Sequence, residues 1–113
     1  MESQIELNKE RMELLKKFSE AAPEFMSVEA NVIREAYKEG ALSSKVKCLI
    51  ALAASLKVGC TNCILAQTEK AINAGATKEE IIETLQVIVS IGGTTGIAES
   101  LRVIKFMDEL GRL

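Results

Sequence analysis

The stretch Gly59-Cys60-Thr61-Asn62-Cys63-Ile64-Leu65-Ala66-Gln67 organises this chain, because two cysteines follow a glycine at the predicted start of a helix. Residues i and i+3 share a helix face, so the sulfurs of Cys60 and Cys63 are expected to cycle between dithiol and disulfide. We expect Cys60 at the N-cap or in the first turn, where unpaired amides and the helix dipole favour a thiolate. No other stretch points as directly to chemistry.

Two other interpretations of the cysteine pair are open. Free cysteine is among the most buried residue types, so Cys60 and Cys63 could be small core residues. A zinc site is also conceivable, but the chain has no histidine, and such a site would need Cys48 plus a carboxylate or ligands from a second subunit. The spacing, the preceding glycine and the helix start favour redox chemistry, with no metal and no cofactor.

The sequence on both sides of the motif predicts helices and no strands. The predicted helices are Ser3–Glu20, Pro23–Glu39, Lys45–Lys57, Cys60–Ala74, Lys78–Ile91, and a last one from Thr94 or Thr95 to Leu110. Gly40 is expected to cap the second helix in a left-handed conformation, and Ser43 or Ser44 to begin the third. Thr77 and Glu80 form a capping box for the fifth. We therefore expect an all-α, single-domain bundle of about six helices over 1–113, with an N-terminal helix in 1–22 and the core in 23–113.

The apolar faces of the last two predicted helices are wider than contact with one neighbouring helix would cover. The fifth and sixth predicted helices are apolar over more than one stripe, so they lie at the centre of the bundle or at a subunit interface. Gly92, Gly93 and Gly96 between them would allow two backbones to approach closely, or would form a plain turn. The surplus of apolar surface favours a homo-oligomer.

Composition excludes several classes of function. With fourteen basic and sixteen acidic residues and 4% aromatics, the chain lacks the charge and the stacking side chains of nucleic-acid binding. The longest apolar run, Cys48 to Leu56, is far shorter than the roughly 20 residues of a membrane span. Met1 to Arg11 has no signal-peptide pattern, and three cysteines in a core-forming domain favour a reducing compartment. We expect a cytoplasmic protein with no membrane or nucleic-acid partner.

Three runs of the sequence, Lys47–Ala53, Gly59–Cys63 and Ala71–Ile81, resemble the carboxymuconolactone decarboxylase family, and more narrowly its alkylhydroperoxidase D-like branch. The resemblance implies an all-helical fold that assembles into trimers or hexamers. It also implies reduction of a small peroxide or disulfide substrate at the expense of a reducing partner that the sequence does not identify. By that resemblance Cys63 attacks the peroxide and Cys60 resolves it, whereas the helix-dipole argument makes Cys60 the more acidic thiol.

The chain departs from the family pattern at two positions. The resemblance places a glutamate and a histidine, which form a proton relay, where this sequence has Cys48 and Gln67. A glutamine can hydrogen-bond a thiolate or a water but cannot take a proton. We therefore expect Cys60 and Cys63 to form the catalytic pair of a weak peroxidase or thiol oxidoreductase, with Cys48 and Gln67 as auxiliary residues. The alternatives are a non-catalytic oligomeric scaffold or ligand-binding member of the family and, last, a carboxymuconolactone decarboxylase-type lyase.

Overall fold

The computed structural model describes residues 1–113 and contains five helices and no strands. The helices are α1 (Gln4–Ala21), α2 (Pro23–Tyr37), α3 (Ser44–Val58), α4 (Thr61–Asn73) and α5 (Lys78–Glu109). The predicted all-α fold is confirmed, but the number of helices is five rather than about six. The predicted fifth and sixth helices form one element that bends at Gly93, where φ is 55° and ψ is −129°.

The bend at Gly93 folds α5 back on itself. The Lys78 ammonium, at the start of α5, donates a hydrogen bond to the carbonyl of Leu113, just past its end, at 2.7 Å. Gly96 lies in the contact between the two halves, since a Cβ built there would be 2.9 Å from the carbonyl oxygen of Ile88. Gly96 therefore permits a close backbone approach, one of the two interpretations of these glycines that the sequence left open.

The length and apolar content of α5 are those of a helix that could cross a membrane. The 32 residues of α5 would extend about 48 Å if the helix were straight. The longest dimension of the molecule is only 40 Å, and each half of the bent helix is shorter than the roughly 20 residues of a membrane span. The apolar residues of α5 instead contribute much of the core.

The hydrophobic core lies between α3, α4 and the two halves of α5. Its fully enclosed side chains share a position on the inner face of their helix, and they include Leu52, Leu56, Ile64, Ile81, Val103 and Met107. Burial of each such aliphatic side chain stabilises the fold by about 1.5–3 kcal/mol relative to exposure. This core holds the end of α3 against the start of α4, where the cysteine pair lies.

The helix ends agree with the sequence at two places and differ at one. Ser43 caps α3, accepting a hydrogen bond from the Val46 amide, and Thr77 and Glu80 form the predicted capping box. The prediction that Gly40 caps the second helix is wrong, because α2 ends at Tyr37 and its cap has extended backbone. The hydroxyl of Ser44 instead donates to the carbonyl of Tyr37 at 2.6 Å, which satisfies the end of α2 without a left-handed residue.

Polar contacts attach α1 to the rest of the bundle. Gln4 is fully buried; its backbone amide donates to the Glu109 carboxylate at 2.7 Å, and its side-chain oxygen accepts from Arg102 at 2.9 Å. One turn further on, the side-chain amide of Asn8 donates to the Glu69 carboxylate at 2.7 Å. These buried polar groups are paired, so they fix the register of α1 against α4 and α5.

The apolar face of α2 has no partner within the chain. No residue of α2 is buried, and Phe25, Val28 and Val32 are exposed by 67%, 63% and 59%. Other apolar side chains are also exposed, among them Val46, Ile50, Val87, Ile91, Ile97 and Leu101. Val46 and Ile50 lie on α3 and are exposed by 37% and 53% in the single chain, so they face away from the core.

Candidate functional site

The turn that carries the cysteine pair begins at the end of α3. Gly59 follows Val58 with φ 78°, a left-handed conformation that glycine adopts without steric cost. The amides of Gly59 and Cys60 both donate to the carbonyl of Ser55, at 3.0 and 3.2 Å. This turn closes α3 and leads directly into α4, with Cys60 as the residue between them.

Cys60 is the N-cap of α4, as the sequence predicted. Its sulfur accepts a hydrogen bond from the Cys63 amide at 3.2 Å, and its carbonyl accepts from the Ile64 amide at 2.8 Å. A sulfur in this position receives an otherwise unpaired N–H and the positive end of the helix dipole, both of which favour the thiolate form.

Cys60 and Cys63 are joined by a disulfide bond. Their Cα atoms are 5.2 Å apart, within the usual range for a disulfide, so the backbone holds the two sulfurs together without rearrangement. Cys63 is exposed and Cys60 is half-buried. Cys63 is therefore the more exposed residue of the pair.

Cys48 lies apart from this pair. It is buried and free, and burial raises the pKa of its thiol, an effect that the nearby Lys70 ammonium opposes. With Tyr37 and Lys70 it lines an open groove of about 360 Å³, to which neither Cys60 nor Cys63 contributes. Cys48 therefore belongs to a different surface of the protein from the disulfide.

Tyr37 lies near Cys48 and Gln67, the two positions at which the sequence departs from the family pattern. Burial raises the pKa of the Tyr37 phenol, the neighbouring Cys48 raises it further, and the side-chain amide of Gln67 lowers it. The Oε1 atom of Gln67 is buried and has no hydrogen-bond partner. Cys48 and Gln67 thus both affect the pKa of Tyr37. The sequence did not single out Tyr37, because no recognisable spacing links the end of α2 to the cysteine motif.

The cation beside the buried thiol of Cys48 is not the one nearest to it along the chain. Lys47 and Lys57 are the nearest cations to the cysteines along the chain, but the ammonium of Lys47 donates to the carbonyl of Lys38 at 2.6 Å. Lys70 is instead the cation beside Cys48, and its nitrogen lies 5.4 Å from the centre of the Tyr37 ring. The fold, rather than proximity in sequence, therefore determines which charge accompanies the buried thiol.

A carboxylate that the sequence analysis did not single out lies at the cysteine turn. Glu99, in the second half of α5, places its Oε1 atom 3.7 Å from the position that a Cβ on Gly59 would occupy. The chain has no group of three or more cysteine or acidic side chains arranged to hold a metal ion. The site is thus a dithiol pair at a helix N-terminus with a carboxylate beside the preceding turn.

Comparison with known proteins identifies the family of this chain. The sequence profile of the carboxymuconolactone decarboxylase family matches residues 23–106. An uncharacterised protein of Cupriavidus necator is 33% identical over 91 residues, which are 80% of each chain.

Two crystal structures extend the comparison to the fold. A carboxymuconolactone decarboxylase family protein of Legionella pneumophila superimposes with a TM-score of 0.87 at 30% identity, covering 94% of this chain and 95% of that one. A family member of Thermotoga maritima, described with a suggested role in the antioxidative response, gives a TM-score of 0.66 at 31% identity, covering 80% and 90%. The chain therefore belongs to the carboxymuconolactone decarboxylase family.

Proposed function

We propose that this protein is a thiol-dependent oxidoreductase of the alkylhydroperoxidase D-like type, which reduces a small hydroperoxide with the Cys60–Cys63 dithiol. The observation that carries the proposal is the disulfide at the N-terminus of α4, in which Cys63 is an exposed residue and the Cys60 sulfur caps the helix. The suggested antioxidative role of the Thermotoga maritima relative agrees with it.

The first step takes place at Cys63. Its thiolate attacks one oxygen of the hydroperoxide, the O–O bond breaks, and the departing alkoxide takes up a proton to leave as the alcohol, or as water when the substrate is hydrogen peroxide. Cys63 is oxidised to the sulfenic acid. The exposed position of Cys63 supports its assignment as the attacking sulfur, in agreement with the resemblance stated above.

The second step joins the two cysteines. The Cys60 sulfur gives up its thiol proton and attacks the sulfur of the Cys63 sulfenic acid, the S–O bond breaks, and hydroxide leaves as water after taking up a proton. An external dithiol then reduces the disulfide by exchange and is itself oxidised. This cycle requires a supply of reductant, so we also propose that the protein works in the cytoplasm.

A second candidate function is ligand binding without turnover. Gln67 cannot accept a proton, and burial holds the pKa of Cys48 above its ordinary value, so neither supplies the base of the family pattern. The unpaired Oε1 atom of Gln67 is an acceptor that a ligand donor could satisfy. This candidate predicts thiols that survive contact with peroxide.

We further propose that the protein works as a homo-oligomer, a trimer or a hexamer, through the face of α2 formed by Phe25, Val28 and Val32. Side chains of this size, aligned on one helix and exposed by more than half, are unusual on the surface of a monomer. A second copy of the chain would remove them from water, and closed symmetric assemblies are the common outcome.

Thiol titration tests the enzymatic proposal. Fully reduced protein, which has three thiols, is mixed with increasing hydrogen peroxide, and the remaining thiols are counted after denaturation. We expect each equivalent of peroxide to remove two thiols and the third, Cys48, to survive. The Cys48→Ala variant is the matched control, because it should lose both of its thiols at the same rate.

Single substitutions separate the two roles. In Cys60→Ser, the sulfenic acid at Cys63 should persist long enough to be trapped by dimedone, whereas Cys63→Ser should consume little peroxide. Loss of no thiol at stoichiometric peroxide would overturn the proposal and favour the binding function.

A further inference from the structure

Glu99 differs from the other partly buried acids of the chain. The acidic side chains that are half-buried are Glu69, Glu80, Glu99 and Glu109. Glu69 accepts a hydrogen bond from the side-chain amide of Asn8. Glu80 accepts one from the backbone amide of Thr77, and Glu109 accepts one from the backbone amide of Gln4. Glu99 has neither a hydrogen bond nor an ion pair within the chain, so both of its carboxylate oxygens are free to contact a donor.

The fold brings this carboxylate to the residue that precedes the cysteine pair. The Oε1 and Cδ atoms of Glu99 lie 3.7 and 3.9 Å from where a Cβ on Gly59 would stand. The Cα atoms of Gly59 and Cys60 are about 3.8 Å apart, as for any adjacent residues. The Glu99 carboxylate therefore lies beside the turn that leads into Cys60.

We propose that Glu99 is the proton acceptor for the Cys60 thiol during disulfide formation, directly or through one water molecule. The proposal rests on the function proposed above and deepens it. The Glu99 carboxylate takes the proton of the Cys60 thiol as its sulfur attacks the Cys63 sulfenic acid. The S–O bond breaks, and the departing hydroxide recovers that proton from Glu99 and leaves as water.

A merely electrostatic effect of Glu99 would have the opposite sign. A negative charge near Cys60 disfavours its thiolate, so removing that charge lowers the pH at which Cys60 ionises. If charge were the whole effect, a neutral residue at this position would speed disulfide formation. If Glu99 accepts the proton, the same substitution slows it.

The decisive experiment compares Glu99→Gln with wild type and with Glu83→Gln, which removes an exposed carboxylate from the other half of α5. Reduced protein is mixed rapidly with hydrogen peroxide over a range of pH, and mass spectrometry follows the dimedone-trapped sulfenic acid and the disulfide. In a second arm, oxidised glutathione replaces peroxide. Its mixed disulfide with Cys63 is resolved by Cys60, which releases the glutathione thiolate.

In both arms we expect Glu99→Gln to slow disulfide formation by about a hundredfold, as is typical of a lost general base, with the first oxidation of Cys63 unchanged. Glu99→Asp should recover part of the rate, and Glu83→Gln should behave as wild type. Alkylation of Cys60 by iodoacetamide in a Cys63→Ser background should shift to lower pH when Glu99 becomes Gln.

The proposal is overturned if Glu99→Gln forms the disulfide at the wild-type rate or faster, or if the midpoint of Cys60 alkylation does not move. A wild-type protein that fails to react with peroxide contradicts the proposed function alone. The rate of disulfide formation with oxidised glutathione and the midpoint pH of Cys60 alkylation then still determine whether Glu99 is the proton acceptor for the Cys60 thiol.

Discussion

The contact between the two halves of α5 at Gly96 gives a sharp test of the fold. A Cβ at Gly96 would lie 2.9 Å from the carbonyl oxygen of Ile88 and 3.1 Å from the Cα of Val89. Both are backbone atoms, so a methyl group cannot be accommodated by rotation of a side chain. The substitution Gly96→Ala must therefore push the halves of α5 apart.

The expected magnitude follows from two opposing effects. Overpacking of this kind costs about 3 kcal/mol at the upper end of its usual range. The higher helix propensity of alanine returns about 1 kcal/mol, which leaves a net loss of about 2 kcal/mol. Gly92 is the matched control, because a Cβ there meets nothing within 4 Å and its φ is not positive. Gly92→Ala should gain about 1 kcal/mol in the free energy of unfolding.

Urea unfolding followed by circular dichroism measures both variants. The protomer concentration and the redox state must be equal, because assembly and the disulfide both contribute to apparent stability. The two variants should differ by about 3 kcal/mol, the difference between the two estimates. Equal stability of Gly96→Ala and Gly92→Ala would refute the close packing of the halves of α5.

Three further predictions concern the cap, the N-terminal contacts and the exposed face. Thr77→Ala removes the N-cap of α5 and should lower the free energy of unfolding by about 1 kcal/mol, measured by the same assay. The Ser3 hydroxyl and the amide of the next residue hold the pKa of Glu109 below its ordinary value. The carboxylate is therefore stabilising above pH of about 4.3 and loses this effect as pH falls, so Glu109→Gln should flatten acid unfolding curves; identical curves would contradict this. Val28→Glu should dissociate the proposed homo-oligomer, as measured by light scattering, whereas Val58→Glu, at a separate exposed valine, should not.

Local features of the fold were predictable because they depend on neighbours in sequence. The Thr77–Glu80 capping box and the N-cap position of Cys60 follow from side chains that reach backbone amides within one turn. Gly40 shows how such reasoning fails. A glycine after a helix permits a left-handed cap but does not require one, and here a hydroxyl from Ser44 satisfies the end of α2.

The apolar periodicity predicted which helices form but not how they lie. The break at Gly92 and Gly93 was visible in the sequence, yet the angle of the bend depends on the φ and ψ of Gly93, which glycine leaves open. Phe25, Val28 and Val32 form an apolar stripe on α2. Its exposure in the single chain could not be read from periodicity, which does not distinguish a core from an interface.

The sequence by itself determined the dithiol pair, because two cysteines three residues apart at a helix start meet through the geometry of one turn. Only the tertiary structure decided which side chains accompany that pair. The bend of α5 at Gly93 brings Glu99 back toward Gly59, and the packing of the helices places the Lys70 ammonium 5.4 Å from the centre of the Tyr37 ring. Contacts between residues far apart in the chain depend on how helices pack and turn, and no local pattern encodes those angles.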